Sequence, residues 1–334
     1  MTAGLIAAFV VSAVVAELLC RFAPCLGLVD SPGRRSSHAT PTPRGAGLGI
    51  AAGVFAGSAF LGLGDDARAL LMAAAIVALL GLADDLRPLA AVFKLAVLAV
   101  VSGALVTFLG AFDRFPLPPP LDVPLGPAAL PFTVLWIVAV TNFFNFMDGL
   151  DGLAAGQVAL SGLVAWTTSG SADAAVLGAL AAVAAVALLP SNWAPARFFL
   201  GDAGSLFSGF LLATLPLLVR PHGSAAATVV TATALGVFLL DPIVTLVRRA
   251  RRKAPLLAGH REHAYQRLAT TGAPHAPVVA FVLFLQALTA ATAVAVTRHP
   301  SFRLLGPAVA VLVSAVLLLA AEAAERRRDR AAAP

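Results

Sequence analysis

The sequence predicts an all-α, polytopic integral membrane protein with about eleven transmembrane helices. Apolar residues make up 59% of the 334 residues and charged residues only 12%, and the mean hydropathy is +0.90. A water-soluble domain carries roughly a quarter charged residues, so a soluble chain of this length could not bury this much apolar surface. The apolar residues also fall in runs close to the roughly 20 residues that a helix needs to cross a bilayer.

Eleven apolar runs, separated by short polar segments, are the predicted spans. The third is short and the fifth begins among prolines, whereas the others are long and apolar. The first has Arg21 after it and no basic residue before it, the reverse of a cleaved signal peptide, so we expect it to be retained. The spans are 3–22, 45–63, 69–83, 90–111, 128–144, 152–168, 173–190, 203–219, 226–247, 276–297 and 303–322. We expect residues 1–334 to form a single transmembrane domain.

The distribution of basic residues predicts the orientation of these spans. With the N-terminus outside, the inner connections and the C-terminal tail hold 17 of the 23 Lys and Arg residues, the outer connections hold five, and Lys94 lies within a span. Short cytoplasmic connections carry the excess of Lys and Arg in membrane proteins. We therefore expect a cytoplasmic C-terminus in an inner or plasma membrane. The net charge of +6 is then explained by basic residues that attract anionic lipid headgroups or an anionic substrate, and it does not indicate binding of nucleic acid.

The unusual polar residues collect on the predicted cytoplasmic connections, whereas the outer loops are short or rich in proline. This one-sided distribution predicts a single binding or catalytic surface at the inner leaflet. It comprises five segments, residues 28–47, 84–90, 142–152, 192–205 and 248–275. A transporter would place its polar residues near the bilayer midplane, often within internal repeats, and no repeat is visible. A transporter and a catalytically inactive membrane scaffold are the alternatives from other functional classes.

Two adjacent acids, Asp84 and Asp85, end the third span just before Arg87. Like charges side by side raise the pKa of one member, which suits a proton acceptor. Acids at membrane depth are also costly enough to indicate function. The alternative interpretation is an ordinary helix end at which the acids pair with Arg87.

The segment 142–152 combines amides, acids and glycines in three-residue steps. Helix capping explains one acid but not two Asn, two Asp and two Gly together, and glycine permits a tight reversal with a ligand close to the backbone. The candidate binding residues here are Asn142, Asn145, Asp148 and Asp151.

Glycines also surround Asp202, at the start of the eighth span. Backbone N–H groups at a helix N-terminus attract an anion, and the carboxylate is a hard oxygen ligand suited to a Mg²⁺ ion that bridges phosphates. The alternative for Asp202 is a plain helix cap.

Two connections carry basic and imidazole side chains. In the fifth segment a basic run, 248–253, alone indicates a topological anchor, but His260 and His263 are spaced to face one way on a helical turn. With Arg261 they suit a diphosphate bound by charge-assisted hydrogen bonds; a zinc site is the alternative, although no Cys or HExxH pattern accompanies them. The first segment is a stiff, proline-containing turn that carries Arg34, Arg35, His38 and Arg44, and alone it also fits a positive-inside loop.

In their order and on one face, the five segments resemble the polyprenyl-phosphate N-acetylhexosamine-1-phosphate transferase family over about residues 28–268. This is glycosyltransferase family 4, of the same superfamily as phospho-N-acetylmuramoyl-pentapeptide transferase. The resemblance implies an enzyme that transfers a sugar-1-phosphate from a UDP-sugar to undecaprenyl or another polyprenyl phosphate and releases UMP. It implies dependence on Mg²⁺, with Mn²⁺ as a substitute, and a role in starting a cell-surface glycan such as O-antigen. The sequence leaves open whether the protein forms a homodimer.

The resemblance also implies roles for the candidate residues. Asp84 looks like the base that deprotonates the lipid phosphate, with Asp85 beside it, and Asp202 looks like a Mg²⁺ ligand assisted by Asn145. The remaining matched residues fall on the substrate-binding side: Arg44, Asn142, Asp148, Asp151, His260, Arg261 and His263.

The fifth segment departs from the muramoyl-pentapeptide branch. That branch shows three consecutive His, whereas this chain has His-Arg-Glu-His followed by Ala-Tyr-Gln over residues 260–266. The difference favours the branch that initiates surface polysaccharides, with the muramoyl-pentapeptide transferase as the alternative within the family.

The charge distribution gives a test of topology. Reporter fusions at the C-terminal tail and within 248–275 should both report the cytoplasm, because these segments hold the densest groups of arginines. An external signal from either fusion would contradict the orientation and the number of spans.

Overall fold

The computed structural model describes residues 1–32, 40–117, 120–219 and 224–331. The helices in these ranges are α1 Thr2–Leu26, α2 Leu48–Ser58, α3 Asp65–Leu86, α4 Ala91–Leu109, α5 Ala129–Phe146, α6 Leu153–Thr168, α7 Ala172–Asn192, α8 Gly201–Thr214, α9 Ser224–Ala234, α10 Gly236–Arg251, α11 Ala264–Thr270, α12 His275–Arg298 and α13 Leu305–Ala331. Single 3-10 turns cover Gly126–Ala128, Leu215–Leu218 and Pro300–Phe302. Of the sequence candidates, Arg34, Arg35 and His38 lie outside the described residues.

The predicted class, a helical multi-pass membrane protein, is confirmed. Within the described ranges, eight helices are long and apolar enough to cross a membrane, or nine if α9 and α10 together make one bent span. Each predicted span overlaps an apolar helix, with 226–247 divided between α9 and α10, but α2 has 11 residues and α6 has 16, fewer than the roughly 20 that a span needs. The count of eleven spans and their orientation therefore stay predictions.

One small element was not predicted. Two short strands, β1 Val29–Asp30 and β2 Thr42–Pro43, pair antiparallel within the first polar segment. The backbone of Phe199 donates to the carbonyl of Pro43 at 2.8 Å, and that of Gly47 donates to the carbonyl of Leu200 at 2.9 Å. These contacts join the first and fourth polar segments and bring Arg44 to the start of α8.

Helix α3 is longer at both ends than the predicted third span, 69–83, because of the residues at its two ends. Asp65 and Asp66 occupy its first turn, where carboxylates complement the positive end of the helix dipole. At the other end α3 stops at Leu86, because the residue before a proline is disfavoured in the helical region and Arg87 precedes Pro88. The last turn of α3 therefore holds Asp84 and Asp85.

The central helix is α8, in which every residue from Ala203 to Thr214 is buried. Many of these residues are small, which lets neighbouring helices approach closely in a membrane. Helices α2, α3 and α5 pack around it, so its N-terminus meets the ends of α3 and α5. The polar segments at those ends are thereby brought together.

Helices α9 and α10 meet at a break, with a bend of 78° between them. At the break, the carbonyl of Ala234 accepts from Gln157 Nε2 at 3.0 Å, and the N–H of Val237 donates to Gln286 Oε1 at 3.1 Å. The two glutamines are themselves bonded, Gln286 Nε2 to Gln157 Oε1 at 2.6 Å. Backbone groups freed inside an apolar region need such partners, so this buried pair holds the bend that directs α10 toward the polar segments.

Candidate active site

A cavity of about 330 Å³ lies where the five polar segments meet. Each segment contributes to its wall, so the prediction that they form one surface is consistent with the fold. Seven of the eleven sequence-predicted site residues line this cavity: Arg44, Asp85, Asn145, Asp148, Asp151, Asp202 and Arg261. Asp84, Asn142, His260 and His263 are not among the residues that line it.

Asp85 connects α3 to the beginning of α8. Its side chain is buried, Oδ1 accepts from the backbone N–H of Asp202 at 3.0 Å, and Oδ2 accepts from that of Ala203 at 3.0 Å. A carboxylate at this position satisfies helix N–H groups that lack an intrahelical partner. We expected these groups to bind a ligand anion, and that expectation is wrong for these two, because Asp85 already occupies them.

The close approach of Asp85 requires a glycine. Gly201 has a φ of +72°, and a Cβ there would lie 2.5 Å from Asp85 Oδ2. An L side chain would be strained by this backbone conformation and would also collide with the carboxylate. The glycine beside Asp202 therefore accommodates Asp85, a different reason from the ligand contact that the sequence suggested.

Asp84 points to a different partner from Asp85. Its Oδ1 accepts from the backbone N–H of Leu89 at 2.7 Å, and its Oδ2 accepts from Lys94 Nζ at 2.8 Å. Lys94 also donates to Asp202 Oδ2 at 2.9 Å. The ammonium group thus lies between two carboxylates from separate helices, and Lys94 replaces Arg87 as the pairing partner of Asp84.

Asn145 completes the surroundings of Asp202. Its Nδ2 donates to Asp202 Oδ1 at 3.0 Å and to Ser205 Oγ at 2.8 Å. The predicted association of Asn145 with Asp202 is therefore present, although the amide nitrogen, and not the oxygen, faces the carboxylate. Asp202 is held from both sides at the cavity wall.

The cavity is strongly acidic. Five acids line it, Asp30, Asp85, Asp148, Asp151 and Asp202, against two arginines, Arg44 and Arg261. Burial, together with the negative charges of Asp202, Asp85 and Asp151, raises the pKa of Asp148 well above its usual range. Acidic side chains therefore outnumber basic side chains in the cavity wall by five to two.

The other two candidate residues of the cluster in segment 142–152, Asn142 and Asp151, make hydrogen bonds of their own. Asn142 Nδ2 donates to the carbonyl of Val138, one turn earlier in α5, at 2.7 Å. Asp151 Oδ2 accepts from the backbone N–H of Ala196 at 3.1 Å, so it fixes the fourth segment while lining the cavity. Asp148 is the carboxylate of this cluster whose environment is most unfavourable for charge.

The fifth segment places only part of its predicted cluster at the cavity. Arg261 and Gln266 line the wall, whereas the side chain of His263 is buried and packs against Phe146 and Tyr265, with ring centroids 6.1 and 6.0 Å away, and against His260, 4.9 Å away. Burial, helped by His263 and Arg249, lowers the pKa of His260 to about 4. His260 is therefore uncharged near neutral pH. Among the described residues, no group of three His, Cys, Asp or Glu side chains is arranged to hold a metal, which gives the zinc alternative no support.

The basic run at the start of this segment does more than anchor the topology. Arg249 is buried, and both Arg249 and Arg252 bind the carboxylate of Glu262. The end of α10 is thereby fastened to the loop that carries Arg261. Adjacent arginines in a sequence do not reveal which of them turns inward, so only the structure identifies these contacts.

Two charged residues near the site were not predicted, Lys94 in α4 and Asp241 in α10. Each is an isolated charge within an apolar span, and such residues are rare and expensive in a membrane. That signal was present in the sequence for both. Apart from Thr245, four residues after Asp241, their partners lie 10 to 108 residues away along the chain, which the sequence could not indicate.

Comparison with known proteins identifies relatives of this chain. Residues 67–220 match the family model described as glycosyl transferase family 4; this range contains the segments with Asp84, Asn145 and Asp202. The chain is 33% identical over 282 residues to the probable undecaprenyl-phosphate N-acetylglucosaminyl 1-phosphate transferase of Bacillus subtilis, covering 81% of this chain and 79% of the relative.

Two further relatives bear on the branches of the superfamily. The decaprenyl-phosphate N-acetylglucosaminephosphotransferase of Mycobacterium tuberculosis is 28% identical over 299 residues, covering 77% of this chain and 72% of the relative. The phospho-N-acetylmuramoyl-pentapeptide-transferase of Heliobacterium modesticaldum is 44% identical, but over 99 residues that cover 28% of this chain and 30% of the relative.

The contact between Gly149 and Tyr265 gives a test of the cavity wall. A Cβ at Gly149 would collide with Tyr265 Oη, which donates to the carbonyl of Phe146 at 2.8 Å. Because overpacking costs about 1–3 kcal/mol, Gly149→Ala should lower the thermal unfolding temperature of the purified protein. Adding Tyr265→Phe should recover part of the loss.

A control for this test is Gly103→Ala in α4, where an added Cβ meets no atom within 4 Å. Its unfolding temperature should stay at or above the wild-type value, because alanine is the better helix former. Equal unfolding temperatures for Gly149→Ala and Gly103→Ala would contradict the packing of Tyr265 against Gly149.

Proposed function

The chain belongs to glycosyl transferase family 4, and from that premise we propose that it transfers an N-acetylhexosamine-1-phosphate from a UDP-sugar to a polyprenyl phosphate. The products are UMP and a lipid-diphosphate-sugar that starts a cell-surface glycan. Relatives that match more than three quarters of the chain carry names of polyprenyl-phosphate N-acetylglucosamine-phosphate transferases. Transporters and inactive scaffolds have no comparable support.

The observation that carries the proposal is the acidity of the cavity. Both proposed substrates are phosphate esters and are negatively charged, yet five carboxylates face them across the cavity and only two arginines do. A divalent cation resolves this conflict, because it binds carboxylate and phosphate oxygens together. The unfavourable charge environment of Asp148 is what such a cation would relieve.

The residues present fit a Mg²⁺ site in which the substrate supplies some of the ligands. Magnesium is usually held by one or two carboxylates, several waters and substrate phosphates, so a dedicated cluster of protein ligands is not required. Asp202 would supply the carboxylate, and Asn145 would supply its amide oxygen, since the nitrogen already donates to Asp202. When bound, the ion would offset charge on the diphosphate; Mn²⁺ has similar ligand preferences.

The reaction requires few covalent steps from the protein. An oxygen of the lipid phosphate forms a bond to the β-phosphorus of the UDP-sugar, and the bond from that phosphorus to the bridging oxygen of UMP breaks. Asp84 would accept the proton of the lipid phosphate, at the end of α3 where headgroups meet the protein. Lys94, bonded to Asp84 and Asp202, would add positive charge beside the reacting phosphate.

Substrate recognition falls to the remaining residues of the cavity. We assign Arg261 and Arg44 to the diphosphate and Asp148 with Asp151 to the nucleoside, while Asn142 bonds within its own helix and acts indirectly. The excess of arginine on the predicted inner connections supports a cavity that faces the cytoplasm in an inner or plasma membrane. Residues 1–334 would then form a single catalytic domain.

The muramoyl-pentapeptide transferase is the weaker assignment within the superfamily. Its relative matches 28% of this chain, against 81% for the N-acetylglucosaminyl relative. The sequence 260–266 also lacks three consecutive histidines. We therefore assign the donor to the UDP-N-acetylhexosamines.

Activity and metal dependence can be tested together. Purified protein with undecaprenyl phosphate, Mg²⁺ and a panel of UDP-N-acetylhexosamines should release UMP with at least one donor, and excess EDTA should stop the release. Asp202→Asn should lower turnover by roughly a hundredfold or more, because a metal ligated there supplies several kcal/mol of charge stabilisation.

The variant should still fold and insert, because its single amide oxygen can accept from Lys94 while Asn145 turns its own amide oxygen toward the new N–H group. No UMP release from wild-type protein with any donor would refute the proposed function. Full activity in EDTA, or for Asp202→Asn, would refute the metal assignment alone.

A second test separates the two basic candidates of the fifth segment. Arg261 lines the cavity, whereas His260 has a pKa of about 4, so its charged form is lost as pH rises through 4 and is absent near neutral pH. Arg261→Gln should raise the KM for the UDP-sugar about ten- to a hundredfold, the range for losing a hydrogen bond to a charged group. His260→Gln should leave this KM near the wild-type value, and steady-state kinetics between pH 6.5 and 8 would show it. A larger effect for His260→Gln would reverse the assignment.

A further inference from the structure

Asp241 is a buried carboxylate in α10 that the proposed chemistry does not use. It is 1% exposed. Its Oδ1 accepts from the backbone N–H of Ala264 at 2.9 Å and from Thr245 Oγ1 at 3.2 Å. Within the described part of the chain, its Oδ2 is buried and has no hydrogen-bond partner. Burying an acid in an apolar helix costs free energy, so we expect Asp241 to have a function other than packing.

The contact with Ala264 fixes the start of α11. His263 precedes that helix and provides no side-chain cap for it, so an acceptor from elsewhere has to serve the first N–H groups. Asp241 serves this purpose from a neighbouring helix. The beginning of α11 is therefore attached to α10 and not to its own loop.

The ring of His263 faces the same carboxylate. His263 Nδ1 lies 3.7 Å from Asp241 Oδ1, and in the described residues this buried nitrogen has no hydrogen-bond partner. Oδ1 already accepts from two groups, but the oxygen without a partner, Oδ2, belongs to the same carboxylate, so His263 Nδ1 and Oδ2 are two unpartnered buried atoms within one side-chain contact. Phe146 and Tyr265 both stack against the ring, and His260 lies nearer still, with ring centroids 4.9 Å apart, so the ring is confined beside Asp241.

The residues on either side of this anchor reach the cavity. Arg261 lies two positions before His263, Gln266 lies two positions after Ala264, and both line the cavity wall. The Oε1 atom of Gln266 is buried and has no partner in the described structure. The inward-facing residues, 263 to 265, thus hold the segment in place while the outward-facing residues present an arginine and an amide to a ligand.

We propose that Asp241 is a positioning residue that anchors Ala264 and His263 so that Arg261 and Gln266 face the UDP-sugar. The inference rests on the proposed function, and it assigns His263 to the anchor and not to direct contact with substrate. Asp241 touches no reacting atom, so its loss acts on binding of the donor. The step at phosphorus, which depends on Asp84, Lys94 and Asp202, is left intact.

The test compares Asp241→Ala, Asp241→Asn and Thr245→Val. Asp241→Ala removes every acceptor and should raise the KM for the UDP-sugar about ten- to a hundredfold, as expected for the loss of a buried hydrogen bond to a charged group, with kcat and the KM for undecaprenyl phosphate little changed. Asp241→Asn keeps an oxygen for the Ala264 N–H and should recover most of the affinity. Thr245→Val removes the other neighbour of the same oxygen and should leave the KM for the donor near wild type.

A second measurement does not depend on turnover. Hydrogen–deuterium exchange of a peptide covering residues 261–268 should be faster in Asp241→Ala than in wild type, and near wild type in Thr245→Val. Exchange in a peptide from α8 should be unchanged, which shows that the variant is folded. If Asp241→Ala does not insert, Asp241→Asn carries both measurements, with a donor KM and an exchange rate at 261–268 slightly above the wild-type values expected, because the neutral amide is a weaker acceptor than the carboxylate.

The outcomes separate this inference from the proposed function. An unchanged donor KM in Asp241→Ala, or a fall in kcat with no change in KM, would overturn the positioning role while wild-type UMP release still supports the enzyme assignment. Wild-type protein that releases no UMP would refute the proposed function. In that case, unchanged exchange at 261–268 in Asp241→Ala would overturn the anchor independently, and faster exchange would support it.

Discussion

The carboxylate of Asp85 on the first turn of α8 is the contact from which the geometry of the site follows. It accepts from the N–H groups of Asp202 and Ala203, so the end of α3 and the start of the central helix cannot move independently. Asp84, next to Asp85 in the same turn, is thereby placed within reach of Lys94, which also binds Asp202. Removing water from these charges makes each contact stronger and each missing partner more costly.

A second constraint acts inside the membrane-spanning region. A helix that bends by 78° exposes backbone groups that lipid cannot satisfy. Here the side chains of Gln157 and Gln286 bind them and also bind each other. The bend that they stabilise directs α10 to the first residue of α11, where Asp241 meets the backbone of Ala264. Helix α10 therefore connects the buried glutamine pair at its start with the segment that lines the cavity.

The fifth segment divides its residues by the side that they face. Glu262 binds Arg249 and Arg252, and His263 with Tyr265 packs inward, whereas Arg261 and Gln266 face the cavity. His260 and His263 are three residues apart, a spacing that places two side chains on one face only in a helix. Because the helix begins after His263, this spacing does not decide which of the two contacts a ligand. The burial of His263 against Phe146 and Tyr265 decides it, because a buried imidazole is unavailable at the cavity wall.

The sequence by itself determined the helical membrane class, the family, and the five polar segments that meet in one cavity, because hydropathy and short motifs are local properties of the chain. It also singled out Asp202 with Asn145, which are in contact. Only the tertiary structure decided that Asp85 serves α8, that Lys94 pairs with Asp84, and that His263 turns away from the cavity toward Asp241. These facts depend on which buried charge finds which partner across helices. Partners that far apart along the chain are chosen by packing and by the cost of leaving a charge unpaired, and no local pattern of residues records that choice.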